Sequence, residues 1–217
     1  MIDLHTHTLF SDGDLLPSEL LRRAEILGLR AIALADHADM SNLDWILPRV
    51  IRACEENNAC RRLRAVPAIE LTHLPPELIG RYVAEARRLG ARVVVVHGES
   101  PVEPVAPGTN RAAIDAGADI VSHPGLVSDE DAQRAARFGV HLEITARKGH
   151  SLTNGHVASA ARRAGAPLVL NTDAHGPGDL IDEPFARTVA LGAGLSPAEY
   201  DRVRANMARL AGLEVAP

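Results

Sequence analysis

The opening stretch "MIDLHTHTLF" places His5 and His7 one residue apart, with Asp3 two residues before them. On an extended strand residues i and i+2 share a face, so Asp3, His5 and His7 project one way and Ile2 and Leu4 the other. Polar groups on a buried strand face need a compensating partner. A metal ion is one such partner; a solvated face is the alternative. The same residue types return along the chain as Asp12, His37, Glu70, His97, His123, Asp173 and His175. Imidazole nitrogen with carboxylate oxygen suits Zn²⁺, Mn²⁺ or Fe²⁺. Taken singly, each histidine reads as a hydrogen-bonded core residue. Repeated at the same place in strand after strand, they read as metal ligands.

Such a set needs strands that end together. Seven apolar, strand-like runs occur, at 2–7, 31–37, 64–70, 92–97, 118–123, 140–145 and 167–173. Segments of helical periodicity separate them, among them "PSELLRRAEILG" and "PELIGRYVAEARRLG". Several of these helices run into a glycine just before the next strand. Pro17 marks a helix start, Ser128 and Thr109 are expected N-caps, and Asn154 is expected to cap the helix that follows it. Residues 195–213 read as a terminal helix, with Ser196, Pro197 and Glu199 forming its capped start. Alternating strands and helices imply a parallel sheet with crossover helices, either closed into a barrel or open. No G-x-G-x-x-G follows the first strand, so a dinucleotide fold has no support. His7, His37, Glu70, His97, His123 and Asp173 lie at the C-terminal ends of their runs. A barrel brings those ends to one mouth, whereas an open sheet spreads them along an edge.

The motifs "DLHTHTLFSDG" (3–13), "ALADH" (33–37), "AIE" (68–70), "VVVVHGE" (93–99), "VSHPG" (121–125) and "NTDAH" (171–175) stand in order along the chain. Through them it resembles the PHP (polymerase and histidinol phosphatase) domain family, over roughly Ile2 to Asp179. The resemblance implies an α/β fold, a distorted (β/α)7 barrel, which agrees with the seven runs. The length of 217 residues suits one domain over 1–217, and the resemblance implies three divalent metal ions (Zn, Mn or Fe) at the barrel mouth. Carried over by motif, His5, His7, Glu70 and Asp173 would hold one ion. Glu70, His97 and His123 would hold a second, with Glu70 bridging. Asp12, His37 and His175 would hold the third. The implied catalyst is a metal-bound hydroxide, with no protein nucleophile. Three divalent ions set against three carboxylates and one hydroxide leave a formal charge of about +2, suited to a phosphate dianion.

Around that centre, Asp3 is placed to orient an imidazole. Glu143, inward in the sixth run, is either an acceptor for a ligand or a plain buried hydrogen-bonding group. Asp36 is expected to point away from His37. "ARKGH" follows the sixth run, so Arg147, Lys148 and His150 fall at the mouth. Arginine offers a bidentate fork to phosphate and lysine a point charge; the bland alternative is a solvated loop. Asn110 is a weaker candidate for substrate contact. His73 and His156 lie off the motifs and read as ordinary loop residues, and Trp45 as packing.

The expected reaction is hydrolysis of a small phosphate monoester, as in a histidinol-phosphate-phosphatase-like enzyme. The alternatives are a nuclease or a nucleotide or cyclic-nucleotide phosphodiesterase, and a non-catalytic scaffold of an RNA–protein assembly. The formal net charge of −5 gives no footprint for long nucleic acid, though a nucleotide remains open. The two cysteines, Cys54 and Cys60, form no C-x-x-C pair, so a reducing compartment is the default. There is no run long enough to span a membrane, and a cytoplasmic protein is expected. Nothing in the sequence specifies an oligomeric state.

Overall fold

The structure is a computed structural model and describes residues 1–214. Its strands are β1 (Ile2–Asp3), β2 (Ala31–Leu34), β3 (His37–Ala38), β4 (Arg64–Leu71), β5 (Val93–His97), β6 (Ile120–Ser122), β7 (His141–Thr145) and β8 (Leu168–Asn171). The helices are α1 (Pro17–Ile26), α2 (Leu43–Cys60), α3 (Pro76–Leu89), α4 (Thr109–Asp115), α5 (Asp129–Phe138), α6 (Asn154–Ala164), α7 (Glu183–Gly192) and α8 (Pro197–Ala211). All pairings are parallel, in the order β1-β2-β4-β5-β6-β7-β8, with β3 on β4. β2 and β3 are two segments of one stave, interrupted at Ala35 and Asp36, so the barrel has seven staves. Every residue of β2 and β5 is buried, as expected of parallel strands covered by helices outside and packed inside.

The seam between β1 and β8 makes the barrel irregular. Only one backbone bridge crosses it, Thr6 to Ala174, with His7 N donating to Ala174 O at 2.8 Å. Side chains do the rest. Asn171 Oδ1 accepts from Leu4 N at 2.8 Å. Asp3 Oδ1 accepts from Thr172 N at 3.2 Å, and Asp3 Oδ2 from Thr172 Oγ1 at 2.5 Å. Buried backbone N–H groups must find acceptors, and here carboxylate and amide oxygens replace missing ladder carbonyls. β1 pairs β2 over Ile2–Asp3 alone, and not over the expected 2–7. α8 covers β8 from outside, burying Tyr200, Val203, Met207 and Ala211, with Asn206 Nδ2 donating to Leu168 O at 2.9 Å.

The helix ends follow their sequence signals with two exceptions. Ser128 and Ser196 accept from Asp131 N and Glu199 N, and Glu199 returns a bond to Ser196 N. Thr109, however, is the first helical residue of α4 behind Gly108, and its hydroxyl donates back to Ala106 O. Asn154 lies inside α6 and caps nothing: its amide bonds the N–H and C=O of Thr145, pinning the end of β7. No helix among the described residues is long and apolar enough to cross a membrane.

Candidate metal centre

The staves deliver the ligand-type residues to one end of the barrel. His5 and His7 follow β1, His37 opens β3, Glu70 lies in β4 and His97 ends β5. His123 follows β6, and Asp173 and His175 follow β8. Register keeps these ends level, since His37 pairs Glu70 and His97 pairs Ser122. Glu70 is the hub. Its Oε1 lies 3.2 Å from His5 Nε2 and 3.9 Å from His123 Nε2. Its Oε2 lies 2.6 Å from His37 Nδ1 and 3.9 Å from His7 Nε2. Asp173 Oδ1 is 3.0 Å from His7 Nε2 and 3.7 Å from His5 Nε2. Asp12 Oδ2 is 3.2 Å from His175 Nε2, and its Oδ1 is 3.6 Å from His37 Nε2. Ligand atoms converge in the sets His5–His7–Glu70, His5–His123–Asp173, Glu70–His97–His123 and His7–Asp12–His37–His175. All nine motif positions therefore meet at the mouth, with His7 close to the Asp12 set as well as to Glu70 and Asp173.

These residues fit divalent cations. His5 Nε2, His7 Nδ1 and Nε2, His123 Nδ1 and Asp173 Oδ1 are buried without a hydrogen-bond partner; elsewhere among the described residues only Asn57 Oδ1 is. An unpartnered buried polar atom costs about 1–3 kcal/mol, so five in one place mark a site built for something else to bind. Ligands about 2.1 Å from one ion lie roughly 3.0–3.4 Å apart, close to the spacings of the nearest pairs. Within the protein the buried charges answer one another. Burial opposes protonation of His5, but Glu70, Glu143 and Asp173 outweigh it and hold its pKa well above the ordinary value. Burial likewise opposes ionisation of Glu70, yet the His5 and His37 charges hold it well below the carboxylate range. Burial, reinforced by His97, pushes His123 well below the imidazole range.

A layer of buried groups orients the ligands. Glu143 Oε2 faces His5 Nδ1 at 2.9 Å and accepts from Asn171 Nδ2 at 2.9 Å, and its Oε1 accepts from His123 N at 3.2 Å. Glu143, for which the sequence left two readings open, is a buried group hydrogen-bonded to the imidazole of His5, a candidate ligand. Asp3 does not orient an imidazole: its oxygens are engaged by the backbone of His5 and by Thr172 at the barrel seam. Asp36 points away from His37 and accepts from Thr8 N, Thr8 Oγ1 and Ser11 Oγ. It thereby fixes the turn that carries Asp12. Gly13 is required in that turn, because a Cβ there would stand 2.5 Å from the His7 carbonyl oxygen.

The centre opens into a cavity of about 260 Å³ lined by Asp12, His37, Thr72, His73, His97, Glu103, Arg147, His150, Asp173 and His175. Two larger clefts, of about 380 and 470 Å³, flank α8 and contain no histidine. Arg147 reaches the cavity, with Nη1 donating to Asp173 O at 3.1 Å and Nε 3.9 Å from Asp173 Oδ2. His150 is buried there, its Nδ1 2.7 Å from Ser100 Oγ. Lys148 is exposed and does not line the cavity. Asn110 is not available to a substrate. It is buried, its Oδ1 accepts from Glu99 N, and its Nδ2 donates to Pro124 O, so it braces the loop after β5. Trp45 stands outside the cavity, edge-on to Phe10. Sequence reasoning passed over Glu103 and set His73 aside, yet both line the cavity. The available signal was a carboxylate in a long loop directly after a stave ending in a ligand histidine.

A PHP domain family model matches residues 3–101. An uncharacterised protein of Methanocaldococcus jannaschii is 47% identical over 201 residues, covering 92% of each chain. A Shewanella frigidimarina protein named "Probable phosphatase" is 28% identical, over 81% of this chain and 77% of its own. Among solved structures, histidinol phosphate phosphatase of Lactococcus lactis, complexed with zinc, L-histidinol and phosphate, superposes with a TM-score of 0.57 at 16% identity. That match covers 90% of this chain and 94% of the other, and shows a shared fold. The chain belongs to the PHP domain family.

Proposed function

We propose that this chain is a metal-dependent phosphoesterase that hydrolyses a small phosphate monoester at the barrel mouth. The observation that carries this reading is the clustering of nine imidazole and carboxylate residues at the barrel mouth, five of which, Asp12, His37, His97, Asp173 and His175, line one small cavity with Arg147. The relatives named as phosphatases point the same way. The ligands would hold up to three ions: one at His5, His7, Glu70 and Asp173, one at Glu70, His97 and His123, and one at Asp12, His37 and His175. Bound divalent cations supply Lewis-acid stabilisation of phosphoryl oxygens and make water acidic enough to serve as nucleophile near neutral pH.

The chain's own residues do the remaining work. Glu143 and Asp36 hold ligands and turn in place, so geometry is set before substrate arrives. Arg147 presents a cation beside Asp173, able to take a non-reacting phosphate oxygen. His150 offers Nε2 towards the cavity while its Nδ1 is engaged by Ser100. The cavity suits one phosphoryl group and a compact leaving group. A net charge of −5 supports a small substrate over a long nucleic acid.

The test is turnover by purified, metal-loaded protein on a panel of phosphate monoesters, cyclic nucleotides and short oligonucleotides. Preference for a monoester, lost on chelation and restored by Zn²⁺ or Mn²⁺, is the expected outcome. Preference for oligonucleotides, or full activity without metal, would overturn the reading.

A further inference from the structure

The ion assigned to Glu70, His97 and His123 has three protein ligands by motif, fewer than the four assigned to the ion at His5, His7, Glu70 and Asp173. Glu103, in the loop between β5 and α4, reaches it from the solvent side. Its Oε2 lies 3.1 Å from His97 Nε2, and its Oε1 lies 3.3 Å from His150 Nε2. The ring hydrogen bond of His97 is made by the other nitrogen, Nδ1, to Gly98 O at 3.1 Å. His97 Nε2 and Glu103 Oε2 are therefore close without an aligned hydrogen bond between them. The ligand pairs His5–Glu70, His7–Asp173 and His175–Asp12 show the same relation at 3.2, 3.0 and 3.2 Å. A cation bound by both atoms would account for such a spacing. The contact between His73 Nε2 and Glu103 Oε2 differs: at 3.2 Å it is an aligned hydrogen bond.

Backbone conformation adds a second observation. Among the described residues, three other than glycine have positive φ: His73 at 52°, His123 at 26° and Asp173 at 53°. The last two are ligands that turn the chain just past their staves, and His73 occupies the same place past β4. Left-handed backbone outside glycine is uncommon and collects at functional sites. At His73 it stacks the ring on His97, with centroids 5.1 Å apart and planes at 28°. The loop carrying Glu103 is also held firmly. Glu99 Oε1 accepts from Gly108 N and Asn110 N, each at 3.0 Å. A Cβ on Gly125 would stand 1.9 Å from Glu99 O, so only glycine lets the two loops pack.

We propose that Glu103 is a fourth carboxylate of the metal centre, ligating the ion at Glu70, His97 and His123, and that His73 holds it there by donating to Oε2. This rests on the metal-centre reading above. Glu103 then fills the position that faces the cavity, where a phosphate oxygen must share the ion with it or displace it.

Calorimetric titration of chelator-stripped full-length protein with Zn²⁺ tests this without an assay of turnover. Wild type is expected to bind more than one ion. Glu103→Gln keeps the shape but replaces the carboxylate with a poor ligand, and should weaken one ion at least tenfold while leaving the others unchanged. His73→Ala should weaken the same ion by a smaller factor. Superimposable isotherms for wild type and Glu103→Gln would overturn the proposal alone. A wild-type protein that takes up no zinc would overturn the metal reading and the proposal together. A zinc-loaded crystal gives a check free of mutants: a Glu103 oxygen about 2.0–2.2 Å from the ion supports ligation, and one beyond hydrogen-bond distance refutes it.

Discussion

His7 lies buried beneath the cavity and Arg147 lines it, and substituting them should have different effects. His7 is buried, and its Nε2 stands near both Asp173 and Glu70. His7→Ala should remove one ligand while leaving Ile2 and Leu4 in the core. We expect a normal circular dichroism spectrum, reduced metal content, and turnover lower by roughly two orders of magnitude or more. Near-normal turnover with unchanged metal would make the "HTH" pair structural. Arg147, by contrast, lines the cavity beside Asp173, where the proposed role is to offer a charge to a ground-state phosphate. Arg147→Ala should raise KM more than it lowers kcat, because uniform binding is lost. A fall in kcat at constant KM would instead assign Arg147 to the transition state.

At the level of elements, the β1–β8 seam is where the barrel depends on side chains. Asn171 serves both sides of it, accepting from Leu4 N and donating to Glu143 Oε2. Asn171→Ala would leave the buried Leu4 N–H without its acceptor, at a cost of about 1–3 kcal/mol, and would take one of two donors from Glu143 Oε2, which keeps His5 Nδ1. Urea unfolding should show a lower midpoint with an unchanged slope. An unchanged midpoint would mean that the seam closes without this amide. The turn at 8–13 is organised in the same manner, with Asp36 gathering Thr8 and Ser11 and Gly13 packed against the His7 carbonyl. That turn is what brings Asp12 within reach of His37 and His175.

For the whole molecule, metal and fold are linked. Cations that bind only the native state stabilise it by mass action, by about 2.7 kcal/mol at a free concentration 100 times Kd. Chelation should therefore lower Tm as well as abolish activity. Acid should act through the same route. Imidazoles ligate only when neutral, so protons and cations compete for the same nitrogens. Metal retention should fall as pH drops through the ordinary imidazole range near about 6.5. Elemental analysis after dialysis at pH 7.5 and at pH 5 gives the comparison, and equal retention would contradict the histidine-rich ligand set.

The ligand-type residues, their places at or near the ends of successive strands and the alternation of seven strand runs with helices were legible in the chain, because each rests on local spacing. Strand parity sent His5 and His7 to one face, and the cap signals at Ser128 and Ser196 were read correctly for the same reason. Tertiary structure decided what depends on partners far away. Asp3 went to Thr172, 169 residues on, and so closes the barrel instead of turning an imidazole. Asn110 was taken up by the path of the loop between β5 and α4, a path no local pattern specifies. Glu103 and His73 sit 30 residues apart and carry no periodic signal. Only level stave ends and left-handed backbone at His73 bring them together, since which side chains meet at a barrel mouth is set by register and loop course.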